Sequence, residues 1–304
     1  MLFLRRIGWW IAAGVCAASA EPITVATYNV ANYNLTNRQI EGAFLTSYPK
    51  PEGEKNALRR VIREMDADIL ALQEIGGEDF LRELQRDLRR DGMSYPESVV
   101  LNAVDEQRRL AVLSRVPLTA VRRHTDLEFA YFNGRESVKR GMLEVRFETP
   151  IGEVALFVVH LKSRLTVRRD DPQARLRRGR EATAARDRIL ELFPQPTESH
   201  FIITGDFNEG PLHRPVRAFS AIGGRPISEL VPAYDSRGET WTHRYRRNDE
   251  YSRVDFFMVS EPMQKWIEGG AGRIPDQPDV LVASDHRPVV LTLDFEVKPT
   301  DDAE

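Results

Sequence analysis

The chain has 304 residues, 41% of them hydrophobic and 29% charged, enough to bury a full core as one large domain or two small ones. Its 43 basic residues are outnumbered by 46 acidic ones, which excludes a globally basic nucleic-acid coat, so any affinity for a polyanion must come from a local patch. The single cysteine, Cys16, excludes a disulfide framework. Residues 1–20 stand apart. Arg5 and Arg6 precede a short apolar run containing Trp9, Trp10 and Ile11, and Ala18-Ser19-Ala20 supplies a small-residue cleavage site. This is the layout of a secretory signal peptide, and the run is too short to span a bilayer comfortably. The expectation is cleavage after Ala20, a secreted or periplasmic product, and no transmembrane anchor in the mature form. Cleavage would remove the only cysteine, together with Arg5 and Arg6 and no acidic residue. A lipid anchor on Cys16 is the alternative, although Val15 sits where such signals want a small residue.

In chain order, residues 23–30 read as a strand and 55–65 as an amphipathic helix with Leu58, Val61, Ile62 and Met65 on one face. Residues 69–73 follow as a buried strand and 79–90 as a second helix. Extended runs come next, around Val99 and over 110–114, 118–122, 143–147 and 154–160. Residues 174–193 form a long helix, 201–204 a strand, and 254–259 and 289–295 the last strands. Long helices between some strands and hairpin-length gaps between others predict one layered α/β domain with partly antiparallel sheets. The domain is expected over 21–297, with 298–304 as an acidic tail.

Five strand ends carry polar residues where a rigid backbone can present them to a cleft. They are Thr27-Tyr28-Asn29, Gln73-Glu74, His160, Gly205-Asp206-Phe207-Asn208 and Ser284-Asp285-His286-Arg287-Pro288. Each alone has an ordinary explanation: a helix N-terminal carboxylate for Glu74, an Asx turn for Asp206 and Asn208, a core histidine for His160. Together they supply hard oxygen ligands for Mg²⁺ or Ca²⁺ (Glu74, Asp285, Asn29), a base (Asp206) and two imidazoles able to donate to phosphate oxygens.

With Ala111-Val112-Leu113-Ser114-Arg115 and Arg253-Val254-Asp255-Phe256, the set resembles the endonuclease/exonuclease/phosphatase superfamily, the group of deoxyribonuclease I, in the family's motif order and over the whole mature chain. The resemblance implies a four-layer α/β/β/α sandwich with two central mixed, largely antiparallel sheets. It implies metal ligation by Glu74, with Asn29 beside the metal and Asp285 as a second acidic ligand or a partner of one. It assigns Asp206 to the attacking water, Asn208 to the phosphate, His286 to the scissile phosphate, and Asp255 to the tautomer of His286. His160 stands where deoxyribonuclease I and the sphingomyelinases keep histidine and apurinic endonucleases keep tyrosine. Arg140 resembles a phosphate-contacting arginine, with a solvated strand-edge charge as its alternative.

The implied function is a secreted nuclease or phosphodiesterase using Mg²⁺, Mn²⁺ or Ca²⁺, acting as a monomer on nucleic acid with no stable protein partner. The alternatives are a phosphatase or phospholipase C acting on inositol phosphates or sphingomyelin, and an inactive binding module of the same fold. Residues 162–188 hold ten basic residues against four acidic. The first half is expected to line the cleft rim, where a polyanion would exploit it; from Arg180 on, a solvated helix face is expected. Trp241-Thr242-His243-Arg244-Tyr245-Arg246-Arg247 is a second basic stretch, with aromatics able to stack on bases. His124, His200, His213 and His243 match no catalytic position. Phe129-Ala130-Tyr131-Phe132 is the candidate for the membrane-inserting hairpin that a sphingomyelinase would need.

Overall fold

The structure is a computed structural model that describes residues 21–296; the expected signal peptide with Cys16 and the expected acidic tail lie outside the described residues. Fourteen elements carry the fold: β1 (Ile23–Tyr33), α1 (Glu52–Met65), β2 (Ile69–Ile75), α2 (Glu78–Arg90), β3 (Glu97–Leu101), β4 (Arg109–Ser114), β5 (Leu118–His124), β6 (Met142–Thr149), β7 (Gly152–His160), α3 (Arg175–Leu192), β8 (Phe201–Asp206), α4 (Arg214–Ser220), β9 (Asp255–Val259) and β10 (Val289–Leu293). One sheet runs β10-β1-β2-β4-β3, with the short strands Gly272–Arg273 and Ala233–Tyr234 continuing it beyond β10. The other runs β9-β8-β7-β6-β5, with Glu229–Leu230 beyond β9. The pairs β1/β2 and β7/β8 are parallel. The pairs flanking them in each sheet are antiparallel.

Strand alternation builds the layers. Val25, Ile69, Ala71 and Val112 face Leu156, Val158, Ile202 and Phe257 between the two sheets. Their chain neighbours Ala26, Leu70 and Leu72 face the opposite way, onto Leu58, Val61 and Ile62 of α1 and Leu81, Leu84 and Leu88 of α2. On the far side Phe157, Val159 and Ile203 meet Ala182, Ala185 and Ile189 of α3 and Val216 and Phe219 of α4. Because both faces of the central strands are covered, these strands read in sequence as unbroken apolar runs. Each large aliphatic buried this way is worth roughly 1.5–3 kcal/mol. The order is helices, sheet, sheet, helices: the four-layer sandwich.

α1 stops where Asp66 turns left-handed, at φ 48°, and returns its N–H to the Ile62 carbonyl. Glu52 and Glu54 occupy its first turn, where the helix dipole favours acids. The hairpins Thr36–Ile40/Ala43–Tyr48 and His243–Tyr245/Glu250–Ser252 were not foreseen, nor was α4, whereas Glu128–Tyr131/Gly134–Ser137 holds the stretch named as a hairpin candidate. The strands of the two unforeseen hairpins have three to six residues and mostly polar or exposed side chains, so no apolar period marks them.

Register places the chemistry. In the second sheet His160 pairs with Asp206, and Asp206 with Asp255, so three adjacent strands present these residues in one row. Gly205, at φ 134°, makes this possible: a Cβ there would stand 1.9 Å from the Val159 carbonyl oxygen. Gly205→Ala should therefore destabilise the protein by about 2 kcal/mol or more, seen as a lowered Tm in thermal unfolding; an unchanged Tm would refute the close approach.

Candidate active site

The row meets the other sheet at Asp206. Its carboxylate is buried and accepts from Asn29 Nδ2 (3.1 Å), from the Asn208 backbone N–H (2.8 Å) and from Asn208 Nδ2 (3.0 Å). His160 Nε2 lies 3.3 Å from it and His286 Nε2 3.9 Å. Burial works against ionisation of Asp206, but the charge of His286, the His160 hydrogen bond and the Asn208 amide hold its carboxyl well below the usual carboxylate range.

His286 follows Ser284-Asp285 just before β10. Its Nδ1 lies 2.9 Å from Asp255 Oδ2. Burial alone would lower the imidazole, but Asp255, Asp206 and Asp285 around it raise it well above its ordinary value. Burial, reinforced by Asp206, pushes the Asp255 carboxyl up to about 6, against the pull of His286. The dyad is thus an imidazolium on a carboxylate near neutral pH, with the Nε2 side of the ring turned toward Asp206. His160 behaves differently. Burial and the nearby Arg140 lower it, so it is neutral, and the carboxylates of Asp206 and Glu74 facing Nε2 assign its proton there.

Glu74 sits in a strand irregularity between Gln73 and Ile75, with φ 66°. Its Oε2 accepts from the Asn32 N–H at 3.0 Å. Its Oε1 has only longer neighbours, Arg108 Nε at 3.7 Å and His160 Nε2 at 3.9 Å. A held, half-buried carboxylate with one oxygen free of short contacts fits a hard divalent cation. Asn29 Oδ1 accepts from the Ala31 N–H (3.1 Å) and keeps a second lone pair. Asp285 is half-buried, and its main-chain carbonyl accepts from the Arg244 N–H. Among the described residues, Asp206, Asp255 and His286 form a cluster whose candidate ligand atoms lie within 4.8 Å of one another. Because Asp255 already occupies Nδ1 of His286, this trio reads as a proton relay rather than a cation cage.

Asn208, at φ 53°, spends its amide group on the Leu161 carbonyl (3.0 Å) and Asp206 (3.0 Å), so it braces the Asp206 carboxylate. Arg140 is not the solvated strand-edge charge of its alternative reading. It is buried, donating to Asp105 Oδ2 (3.3 Å) and to the Leu161 carbonyl (2.9 Å).

Other expectations are corrected. Within 162–188, Arg177 and Arg178 are buried struts rather than rim. Arg178, fully buried, holds Glu209 Oε2 (2.5 Å) and the carbonyls of Lys162 (2.9 Å) and Gln173 (3.1 Å). Arg164 is paired with Glu209, and Arg168 with Asp170. The candidate membrane hairpin of the sphingomyelinase alternative is folded inward. Phe129 and Tyr131 are buried against α3, and the exposed Phe132 lies under the Arg168 guanidinium at 4.5 Å. Trp241 is likewise engaged, with Arg287 4.1 Å over its ring and Tyr251 at its edge.

His243 was set aside in the sequence, yet its ring centroid is 4.6 Å from that of His286 and the two residues form a main-chain bridge. The hairpin carrying it is fastened by Thr242, whose Oγ1 accepts from the Val254 and Asp255 N–H groups. Lys50 and Arg38 were also missed. They donate to the carbonyls of Ala31 and Asn32, in the left-handed turn that supplies the Glu74 contact. Only Ser284 had a local signal, its place in the Ser284-Asp285-His286 motif.

The chain matches the Endonuclease/Exonuclease/phosphatase family over residues 26–286. It belongs to that family. A search of curated protein sequences finds no match. Among solved structures, the human Nocturnin catalytic domain with bound sulfate superposes with a TM-score of 0.60 at 16% identity, covering 89% of this chain and 93% of that one. Truncated Caenorhabditis elegans TDP2 gives 0.58 at 14% identity, covering 90% and 97%. Sphingomyelinase C from Streptomyces griseocarneus gives 0.58 at 15%, covering 90% and 74%. At these identities the likeness is one of fold, and the family's phosphoesterase fold is the common ground.

Ser284 links the halves of this family site. Its hydroxyl donates to the Asn29 carbonyl (2.7 Å) and accepts from the His286 N–H (3.0 Å). Ser284→Ala should cost roughly 1–3 kcal/mol, because both partners are buried, and should lower kcat more than it raises KM. Wild-type values of Tm and kcat would show the bridge to be idle.

Proposed function

We propose that this chain is a divalent-metal-dependent phosphodiesterase whose substrate is nucleic acid. The observation that carries this reading is His286, seated between the buried carboxylates of Asp206 and Asp255, with His160 Nε2 near both Asp206 and the half-open Glu74. Asp206, anionic and braced by Asn29 and Asn208, orients a water molecule and accepts its proton. Asp255 holds Nδ1–H of His286, so the imidazolium presents Nε2–H to a phosphate oxygen as negative charge builds. His160, neutral, adds a second N–H beside the base. Glu74 and Asp285, with Asn29 Oδ1, would hold the cation, which when bound neutralises charge on the phosphate.

Nucleic acid is favoured over a lipid headgroup because the candidate membrane hairpin is folded onto α3. One observation supports the phospholipase reading: the hairpin Thr36–Ile40/Ala43–Tyr48, next to the Glu74 turn, exposes Phe44 at 69%. The reading includes export, with residues 1–20 removed.

EDTA should abolish hydrolysis and Mg²⁺ or Mn²⁺ should restore it, using active protein whose N-terminus is Glu21. Polynucleotide should be cleaved and sphingomyelin spared. Full activity in EDTA would sink the metal mechanism, and cleavage of sphingomyelin alone would install the lipid reading.

The pH profile tests the relay. Asp255 must be ionised to anchor His286, so kcat/KM should fall as pH drops through about 6. On the alkaline side it should fall only where His286 loses its proton, well above the ordinary histidine range. Asp255→Asn should lower kcat by roughly a hundredfold and erase the acid limb near pH 6. A variant that kept that limb would assign the titration to another group.

A further inference from the structure

A groove of about 380 Å³ runs between α3 and α4, lined by Thr183, Arg186, Leu212, Arg214, Arg217 and Ala218. On α3, Gly179, Thr183 and Arg186 share one helix face at spacings of four and three. A Cβ added at Gly179 would make only an ordinary van der Waals contact, 3.8 Å, with the Arg214 side chain, which places Arg214 beside this face.

The arginines of this groove differ from most others in the protein. Arg177, Arg178 and Arg188 of α3 are each held by carboxylates. Arg186 reaches only its own exposed neighbour, Asp187. Among the described residues, no carboxylate lies within ion-pair distance, 4.0 Å, of Arg214 or Arg217, nor of Arg175 or Arg180 elsewhere on α3. In a chain whose net charge is −3, Arg214 and Arg217, without counter-charges beside the Arg186–Asp187 pair, raise the local potential. The fold supplies no partner for them.

The groove is also connected to the cleft. α4 begins at Arg214, a few residues past Asn208. The Glu209 between them is clamped by Arg178 and Arg164. Along α3, Arg186 lies about 12 Å beyond Arg178, roughly three to four phosphate spacings along one strand of a duplex. A phosphodiester chain leaving the catalytic centre on this side would meet the groove after a few nucleotides. A bilayer is broad and cannot enter a groove between helices, and a small phosphoester is too short to occupy cleft and groove together.

We propose that the α3–α4 groove is a polyanion-binding exosite in which Arg186, Arg214 and Arg217 hold the backbone of a long nucleic-acid substrate beyond the cleft. This rests on the nuclease reading above and moves the recognition surface onto the part of α3 that the sequence marked as a solvated face.

The test measures binding and turnover separately. Binding of a long polynucleotide and of a tetranucleotide is followed by fluorescence anisotropy in Asp206→Asn protein, with and without Arg186→Gln, Arg214→Gln and Arg217→Gln together. The triple change should weaken long-polymer binding about tenfold or more at low salt. It should also reduce the slope of log affinity against log salt by roughly 2–3, the value for three lost phosphate contacts. Tetranucleotide binding and hydrolysis of bis-p-nitrophenyl phosphate in the otherwise wild-type background should not change, and the corresponding lysine triple should keep most of the slope. Polymer cleavage with an unaltered slope in the glutamine triple would overturn the exosite and leave the nuclease reading standing. If wild-type protein hydrolyses the small diester but neither binds nor cleaves polynucleotide, the nuclease reading itself fails. Loss of binding to phosphatidylserine vesicles, with polynucleotide binding intact, would reassign the groove to a membrane and overturn the proposal.

Discussion

Everything in the candidate site of this molecule depends on keeping one carboxylate, that of Asp206, charged inside the protein. A buried anion is tolerated only when its lone pairs are met, and stripping one partner from such a group typically costs about 3–5 kcal/mol. Here the partners come from three directions: Asn29 across the inter-sheet core, Asn208 from the same strand's exit, and His160 from the parallel neighbour. The sheets are therefore joined by a polar contact at one end as well as by the aliphatic layer between them. The apolar layer is tolerant of small shifts in packing, whereas the hydrogen bonds to Asp206 are short and directional. Sheet-to-sheet placement is thus set at the active site.

The same logic explains why positively charged groups are divided into two kinds. Arg140, Arg177 and Arg178 are interior struts whose guanidinium groups cap carbonyls and carboxylates where the chain leaves β7 and β8. Such planar donors suit this work because several hydrogen bonds can be made from one rigid fork. Lys50, buried beside Glu54, does the corresponding work on the Ala31 turn. Arg175, Arg180, Arg214 and Arg217, on α3 and α4, have no such task. Counting basic residues in sequence mixes the two kinds.

Much of the architecture was legible because the central strands are covered on both faces and so appear as apolar runs ending in polar residues. Glu74, His160, Asp206 and His286 could be picked out for that reason, and the strand ends that carry them do converge. What escaped notice depended on contacts distant in sequence. His243 lies in a polar hairpin and becomes part of the cleft only because its backbone bridges His286. Lys50 looks like any exposed lysine before a proline until the left-handed turn at Ala31 and Asn32 gives it carbonyls to bind. The inner face of α3 bears Arg177, Arg178 and Glu181, so hydrophobic periodicity assigns its orientation poorly; charge on a helix was taken for exposure where it signalled the reverse.

The chain between β7 and α3 has a further property. Arg178 ties its two ends together through the carbonyls of Lys162 and Gln173, while its middle carries Leu165 at 82% exposure and Val167 at 99%. A loop secured at its stem and bare at its crest is where a protease cuts first and where inserted sequence does least harm. Nicking at the crest would leave Arg178, Glu209 and the row behind them in place, so the two fragments would remain a single folded body. That arrangement makes the most accessible scissile bond one whose loss the cluster around Asp206 can survive.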